Sequence, residues 1–187
     1  MHILLRGFIF RVIFTGIGFL VSLLIAKLAG ANQFGTLSLM IVNAAFIYII
    51  TGLGTDAAIV WHGIAGHNNN RDKIFSFTII TAVIQLFFFY IIAILGYVFL
   101  GHTLLGGNIG LRVFFAEIVY FTGLVLVEKF TSLYYSQHEA RLCNKILSIS
   151  SLFLFTGIIG LSIVNPSLIS KDPEWVYSLF IFVPSFI

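Results

Sequence analysis

The chain has 187 residues, of which 59% are hydrophobic and only 9% charged, with a mean hydropathy of +1.08 and a formal net charge of +3. Soluble domains carry about 25% charged residues, so this chain has too little charge to cover a water-facing surface, and a soluble globular fold is excluded. Its ten Lys and Arg residues are scattered singly between apolar stretches, with no basic stripe for nucleic acid, and the lone Cys143 excludes an intramolecular disulfide or a multi-cysteine metal site.

A helix crosses about 30 Å of hydrocarbon with about 20 mostly apolar residues. Stretches that meet or approach that length fall at 8–29, 37–60, 74–100, 111–134, 146–164 and 175–187. The expected fold is therefore an all-α integral membrane protein of about six transmembrane helices, one helical lobe over 1–187 without a soluble domain. The sixth stretch has 13 residues, too few to span, so a chain truncated within its sixth helix is expected. Ala29-Gly30-Ala31 resembles a signal-peptide cleavage site. Lys27 just before it, and the further apolar stretches after it, favour an uncleaved first helix.

The intervening segments have loop chemistry. Ala31-Asn32-Gln33-Phe34-Gly35 is expected to separate the first two helices, and Gly66 to Lys73 is the most polar segment of the chain. Gly106-Gly107-Asn108 and Asn165-Pro166-Ser167 are turn formers. Trp61 and Trp175 stand at span ends, where indole prefers the headgroup region. Arg6, Arg11, Arg71, Lys73, Lys129, Arg141 and Lys145 fall to the N-terminal side of the membrane, against Lys27, Arg112 and Lys171 on the other. This bias puts the N-terminus and the even-numbered loops in the cytoplasm.

Ionisable groups inside a membrane are costly and mark functional sites by default. On the fourth helix Glu117 and Glu128 are separated by close to three turns, so they share one face about 16 Å apart along the axis. Tyr120, Phe121, Leu124 and Thr131 lie on that face, a mixed surface suited to a cavity wall. The bland alternative pairs Glu128 with Lys129 and Glu117 with Arg112. On the first helix Arg11, Thr15, Gly18 and Ser22 form one polar and small stripe. That stripe either lets a neighbouring helix approach closely or, through Arg11, offers a guanidinium fork to an anionic phosphate. Asp56, after Gly52-Leu53-Gly54-Thr55, is either a buried partner for a basic residue or an interfacial carboxylate. Thr78, Thr81 and Gln85 read as hydrogen-bonding glue between helices. The histidines at 62, 67, 102 and 138 are too widely spaced for a metal site. No nucleophile elbow, zinc-protease helix, P-loop or dinucleotide fingerprint is present, so neither an enzyme nor a cofactor is expected.

The run Leu28-Ala29-Gly30-Ala31-Asn32-Gln33-Phe34-Gly35-Thr36-Leu37-Ser38-Leu39 resembles the first periplasmic loop of the bacterial polysaccharide (O-antigen-type) lipid-linked sugar flippases. There, a glycine, a short polar insert and an aromatic-Gly pair lead into the second helix. The run Thr51-Gly52-Leu53-Gly54-Thr55-Asp56-Ala57-Ala58-Ile59-Val60 resembles the glycine-containing end of that family's second helix. An early Arg-containing helix and the basic fourth loop Gln137-His138-Glu139-Ala140-Arg141 also fit. Related multidrug-extrusion transporters share this layout.

The resemblance implies the N-terminal lobe of a two-lobed transporter in the bacterial cytoplasmic membrane. Its substrate would be an undecaprenyl-pyrophosphate-linked oligosaccharide destined for lipopolysaccharide or other polysaccharide. Arg11 would hold the pyrophosphate, with Thr15 beside it, while Asp56, Glu117 or Glu128 would serve ion coupling or contact sugars. Membrane lipids, and a C-terminal lobe or a second copy, would be its partners. Two further readings stand beside it: a cation-coupled drug or metabolite exporter using Glu117, and a membrane-embedded glycan-pathway enzyme or assembly subunit.

Overall fold

The computed structural model describes residues 2–65, 71–100 and 111–182, except for the side chains of residues 2–8, 11, 14, 65, 100 and 180. Every regular element among the described residues is a helix: α1 (His2–Ala29), α2 (Ala31–Gly52), α3 (Thr55–Ala65), α4 (Arg71–Leu100), α5 (Leu111–Ser136), α6 (Ala140–Val164), α7 (Pro166–Lys171) and α8 (Pro173–Phe182). Among them α2, α4 and α6 are long and apolar enough to cross a membrane, and Thr15–Ala29 of α1 is a shorter apolar stretch. Large apolar side chains such as Phe19, Phe46, Phe87, Phe99 and Phe153 point outward. Such a surface would drive aggregation in water and matches a hydrocarbon solvent. The protein is an all-α membrane protein.

Three boundaries differ from those read in the sequence. The segment 31–35, expected as a loop, is the first turn of α2; the chain turns at Gly30 alone, with φ 80° and ψ 168°. That backbone region is essentially restricted to glycine, so one residue replaces a five-residue connection. The single helix expected over 37–60 is two. It breaks at Leu53 (φ 46°) and Gly54 (φ 74°), both left-handed, before α3 starts at Thr55. The expected turn at Asn165-Pro166-Ser167 opens instead into α7, with Pro166 at its first position, where a missing N–H costs nothing. Of the predicted sixth stretch, α8 covers residues up to Phe182, and 183–187 lie outside the described residues. So do the loop residues 66–70 and 106–108, together with His67 and His102.

Contacts between pairs of residues give the helix directions. Phe89 stacks on Phe121 and Tyr97 packs on Phe114, so α4 and α5 run antiparallel. Asp56 meets Lys129 and Gly63 meets Ser136, so α3 runs parallel to α5. Arg112 meets Asp172, Tyr120 meets Tyr177 and Gly123 meets Phe182, so the α7–α8 joint and α8 also run parallel to α5. At one end of the bundle Arg71 contacts Glu139 at 3.5 Å, placing the starts of α4 and α6 on the same side. Arg112 and Asp172, 3.5 Å apart, belong to the other end.

The core is a continuous apolar cluster that includes Val21, Ile25, Met40, Phe89, Phe121 and Ile158. Without a hydrophobic drive between helices in lipid, close packing of small residues takes its place. At Gly63 an added Cβ would run into the Cβ of Ser136, so α3 and α5 are in contact at that point. At Gly123 it would lie 3.0 Å from the Cα of Phe182 in α8.

Overpacking of a tight interface costs about 1–3 kcal/mol. Gly63→Ala should therefore lower the thermal unfolding midpoint in detergent, and adding Ser136→Gly should restore only part of the loss, because the Ser136 Cα, 2.9 Å from the added Cβ, remains. Gly16→Ala, where a Cβ meets nothing within 4 Å, should leave the midpoint unchanged or raise it. Equal behaviour of the two glycine variants would show that the α3–α5 contact is not tight.

Candidate functional site

The break between α2 and α3 presents Thr55 and Asp56 at the start of α3. A carboxylate there is favoured by the unsatisfied N–H groups of the first turn. One Asp56 oxygen accepts from the Lys129 ammonium at 2.8 Å, and the other accepts from the Tyr48 hydroxyl at 2.6 Å. Lys129 also donates to Thr55 Oγ1 and lies 5.8 Å from the centre of the Tyr48 ring. Gln85 of α4 joins this assembly by donating to the Tyr48 carbonyl at 3.0 Å and to Thr51 Oγ1 at 3.1 Å. The Lys129 side chain is 1% exposed and that of Asp56 30%. Lys129 stands seven residues before the end of α5, about 10 Å inside it at 1.5 Å per residue.

This arrangement replaces the pairing of Lys129 with Glu128 considered from the sequence. Adjacent helical residues point about 100° apart because a turn takes about 3.6 residues. Lys129 turns toward α3 while Glu128 faces a cavity on another side of α5. Arg112 likewise pairs with Asp172 rather than with Glu117. Of the three residues read as interhelical glue, Gln85 makes that link. Thr78 and Thr81 instead bond to carbonyls of their own helix, Ile74 and Thr78.

The cavity has a volume of about 680 Å³ and lies between α1, α5, α6 and α8. Small-molecule sites range over about 300–1,000 Å³. Along α5 its wall includes the stripe Tyr120, Leu124, Glu128, Thr131 and Tyr134, flanked by Leu126, Val127 and Phe130. The α6 wall adds Ser150 and Ser151, α8 adds Tyr177, and α1 adds Ile17, Gly18 and Val21. The result is one carboxylate and several hydroxyls and phenol rings set in an otherwise apolar enclosure. The lone Cys143 also lines it. Among the described residues no group of three or more His, Cys, Asp or Glu could hold a metal ion.

The sequence candidates are distributed between these two places. Glu128, with Tyr120, Leu124 and Thr131 from the predicted face, is in the cavity wall. Phe121 leaves that face to stack on Phe89 at 3.7 Å. Glu117 is one turn N-terminal to Tyr120 and 1% exposed; its Oε1 has no hydrogen-bond partner among the described residues, and it is not part of the wall. Asp56 belongs to the ion pair. Thr15 is exposed on α1. The Arg11 side chain lies outside the described residues. Lys129, Tyr48, Tyr134, Tyr177 and the α6 serines were not singled out from the sequence. Tyr134 extends the Glu128–Thr131 stripe by three residues and was open to that reading, whereas Tyr48 and Tyr177 reach their places across helix breaks that no periodicity carries through.

Comparison with protein-family models, curated proteins and solved structures gives no match for the chain.

Removing one partner of a buried ion pair strands the other charge, at a cost of about 3–5 kcal/mol, whereas replacing both is often neutral. Asp56→Leu should lower the amount of folded protein in the membrane sharply, because Lys129 is left without its carboxylate. Asp56→Leu with Lys129→Met should recover most of it, as read by fluorescence-detected size exclusion. A double variant no better than the single one would show that the pair does not carry the fold.

Proposed function

We propose that the chain is a membrane transport lobe of about six membrane crossings that moves lipid-linked oligosaccharide across the bacterial cytoplasmic membrane, in the manner of the polysaccharide flippases. The observation that carries this reading is the composition of the cavity wall. Phenol rings and hydroxyls at Tyr120, Tyr134, Tyr177, Thr131, Ser150 and Ser151 suit the CH faces and hydroxyls of a glycan, and the aliphatic wall suits a polyprenyl chain. The alternation of helix directions supports six crossings, with α2 and α3 acting as one interrupted crossing and α8 belonging to the sixth. Interrupted helices at membrane depth are tolerated where protein or a cavity surrounds them, and transporters use them at their sites. Arg11 lies seven residues before the cavity-lining Gly18, two turns along the same register. That register supports Arg11 as the cation for the pyrophosphate.

A second reading has its own support. The charged residue in the described cavity wall is the carboxylate Glu128, and Glu117 is a buried carboxyl one turn before the wall residue Tyr120. Carboxylates of this kind suit a cation-coupled exporter of amphipathic molecules.

The two readings separate by mutation. With an undecaprenyl-pyrophosphate-linked glycan in inverted membrane vesicles, Arg11→Ala should reduce translocation at least tenfold without loss of inserted protein; wild-type rates would remove the phosphate site. Glu117→Gln should leave that translocation largely intact, whereas loss of proton- or sodium-dependent efflux of a cationic dye in this variant would select the exporter. For sidedness, a cysteine introduced at Asn69 should be shielded from an impermeant maleimide in intact cells and labelled after permeabilisation. Labelling from outside would invert the proposed topology.

A further inference from the structure

Gly18 differs from the other described glycines in lining the cavity. Gly63 and Gly123 are small because another helix occupies the space a side chain would need. At Gly18 a Cβ would meet nothing within 4 Å, yet the residue is part of the cavity wall. The stripe to which it belongs therefore does not serve close helix approach at this point, as one reading of the sequence had it. Glycine within a helix costs about 1 kcal/mol relative to alanine, and no packing contact offsets that cost here. The Ser22 hydroxyl, moreover, donates to the Gly18 carbonyl at 3.0 Å, a back-bond of the type that bends helices.

Elsewhere α1 is held against its neighbours. The Ser148 hydroxyl of α6 donates to the Phe10 carbonyl at 2.9 Å, and Val21 and Ile25 are fully buried. The opening at Gly18 thus lies between two points where α1 is packed, facing the wall that carries Glu128 and Tyr134.

We propose that Gly18 is a specificity-determining position: by leaving the α1 wall without a side chain, it sets the largest glycan headgroup that the cavity admits. This deepens the transport reading, on which it rests. A side chain added at position 18 fills cavity space rather than another helix, so it reduces capacity without unfolding the bundle. The selection acts on the bulk of the headgroup and not on the polyprenyl chain, which is common to every substrate of this class.

The test compares Gly18→Ala, Gly18→Leu and Gly18→Trp with wild type in inverted vesicles, using undecaprenyl-pyrophosphate carrying one sugar and carrying four. Translocation of the four-sugar probe should fall stepwise with side-chain size, by tenfold or more for Gly18→Trp. The one-sugar probe should stay within about threefold of wild type, at unchanged protein level. Equal transport of both probes by Gly18→Trp, or equal loss of both in a protein that is still inserted, overturns the proposal. In parallel, Gly18→Cys in a Cys143→Ser background should react with N-ethylmaleimide in detergent as fast as a cysteine at exposed Ser76. An unreactive cysteine at 18 overturns the open wall while leaving the transport reading standing. If the wild type moves neither probe, the transport reading falls and size selection falls with it, whatever the labelling shows.

Discussion

A lysine ammonium that is 1% exposed and about 10 Å inside a helix has to find an anion, and Lys129 finds one in Asp56. On insertion scales a lysine at the helix centre costs about 2.5–3.5 kcal/mol, while each Leu or Phe returns about 0.3–0.6. Asp56 supplies the charge, but only because the chain breaks at Leu53 and Gly54 and restarts with Thr55 and Asp56 facing α5. A leucine in the left-handed region costs about 1–2 kcal/mol, and the pair formed by the break offsets that strain. Tyr48 before the break, Thr55 after it, Lys129 on α5 and, through Tyr48, Gln85 on α4 then form one hydrogen-bonded assembly. Four helices are held together by groups that each satisfy another's polar demand. In lipid, where burying apolar surface brings nothing new, this is a main source of cohesion.

That assembly also determines where the cavity lies. With Lys129 turned to α3, the next residue back, Glu128, points about 100° away from it, into the cavity wall shared with α1 and α6. The stripe Tyr120, Leu124, Glu128, Thr131 and Tyr134 becomes its wall. The close contacts Gly63–Ser136 and Gly123–Phe182 press α3 and α8 onto α5, whereas Gly18 of α1 is left open to the enclosed space. The bundle thus uses glycine in two opposite ways: to bring helices together around α5, and to leave α1 without a side chain where it borders the cavity.

Parts of this were legible in the residues. The face shared by Glu128, Tyr120, Leu124 and Thr131 follows from helical periodicity, and the structure puts those four side chains in one wall. The grouping of the second and fourth loops on one side followed from basic residues, and Arg71 and Glu139 meet there. Other assignments failed for identifiable reasons. Ala31 to Gly35 has loop composition, but Gly30 makes the reversal alone, so the polar residues enter the first turn of α2. The Lys129–Glu128 pairing assumed that neighbours in sequence are neighbours in space, which helix geometry does not allow on one face.

The sequence by itself determined the solvent and the class: so little charge among so many apolar residues requires lipid, where the backbone must be satisfied internally, and apolar stretches of about 20 residues do that as helices. It also marked Asp56, Glu117 and Glu128 as side chains needing an explanation, since charge inside a membrane is expensive. Only the tertiary structure decided which partner each charge found. Partner choice depends on the rotation of helices about their axes and on breaks at single residues such as Gly30 and Gly54. The periodicity within any one helix carries no record of either, so the ion pair and the cavity became visible only when the helices were packed.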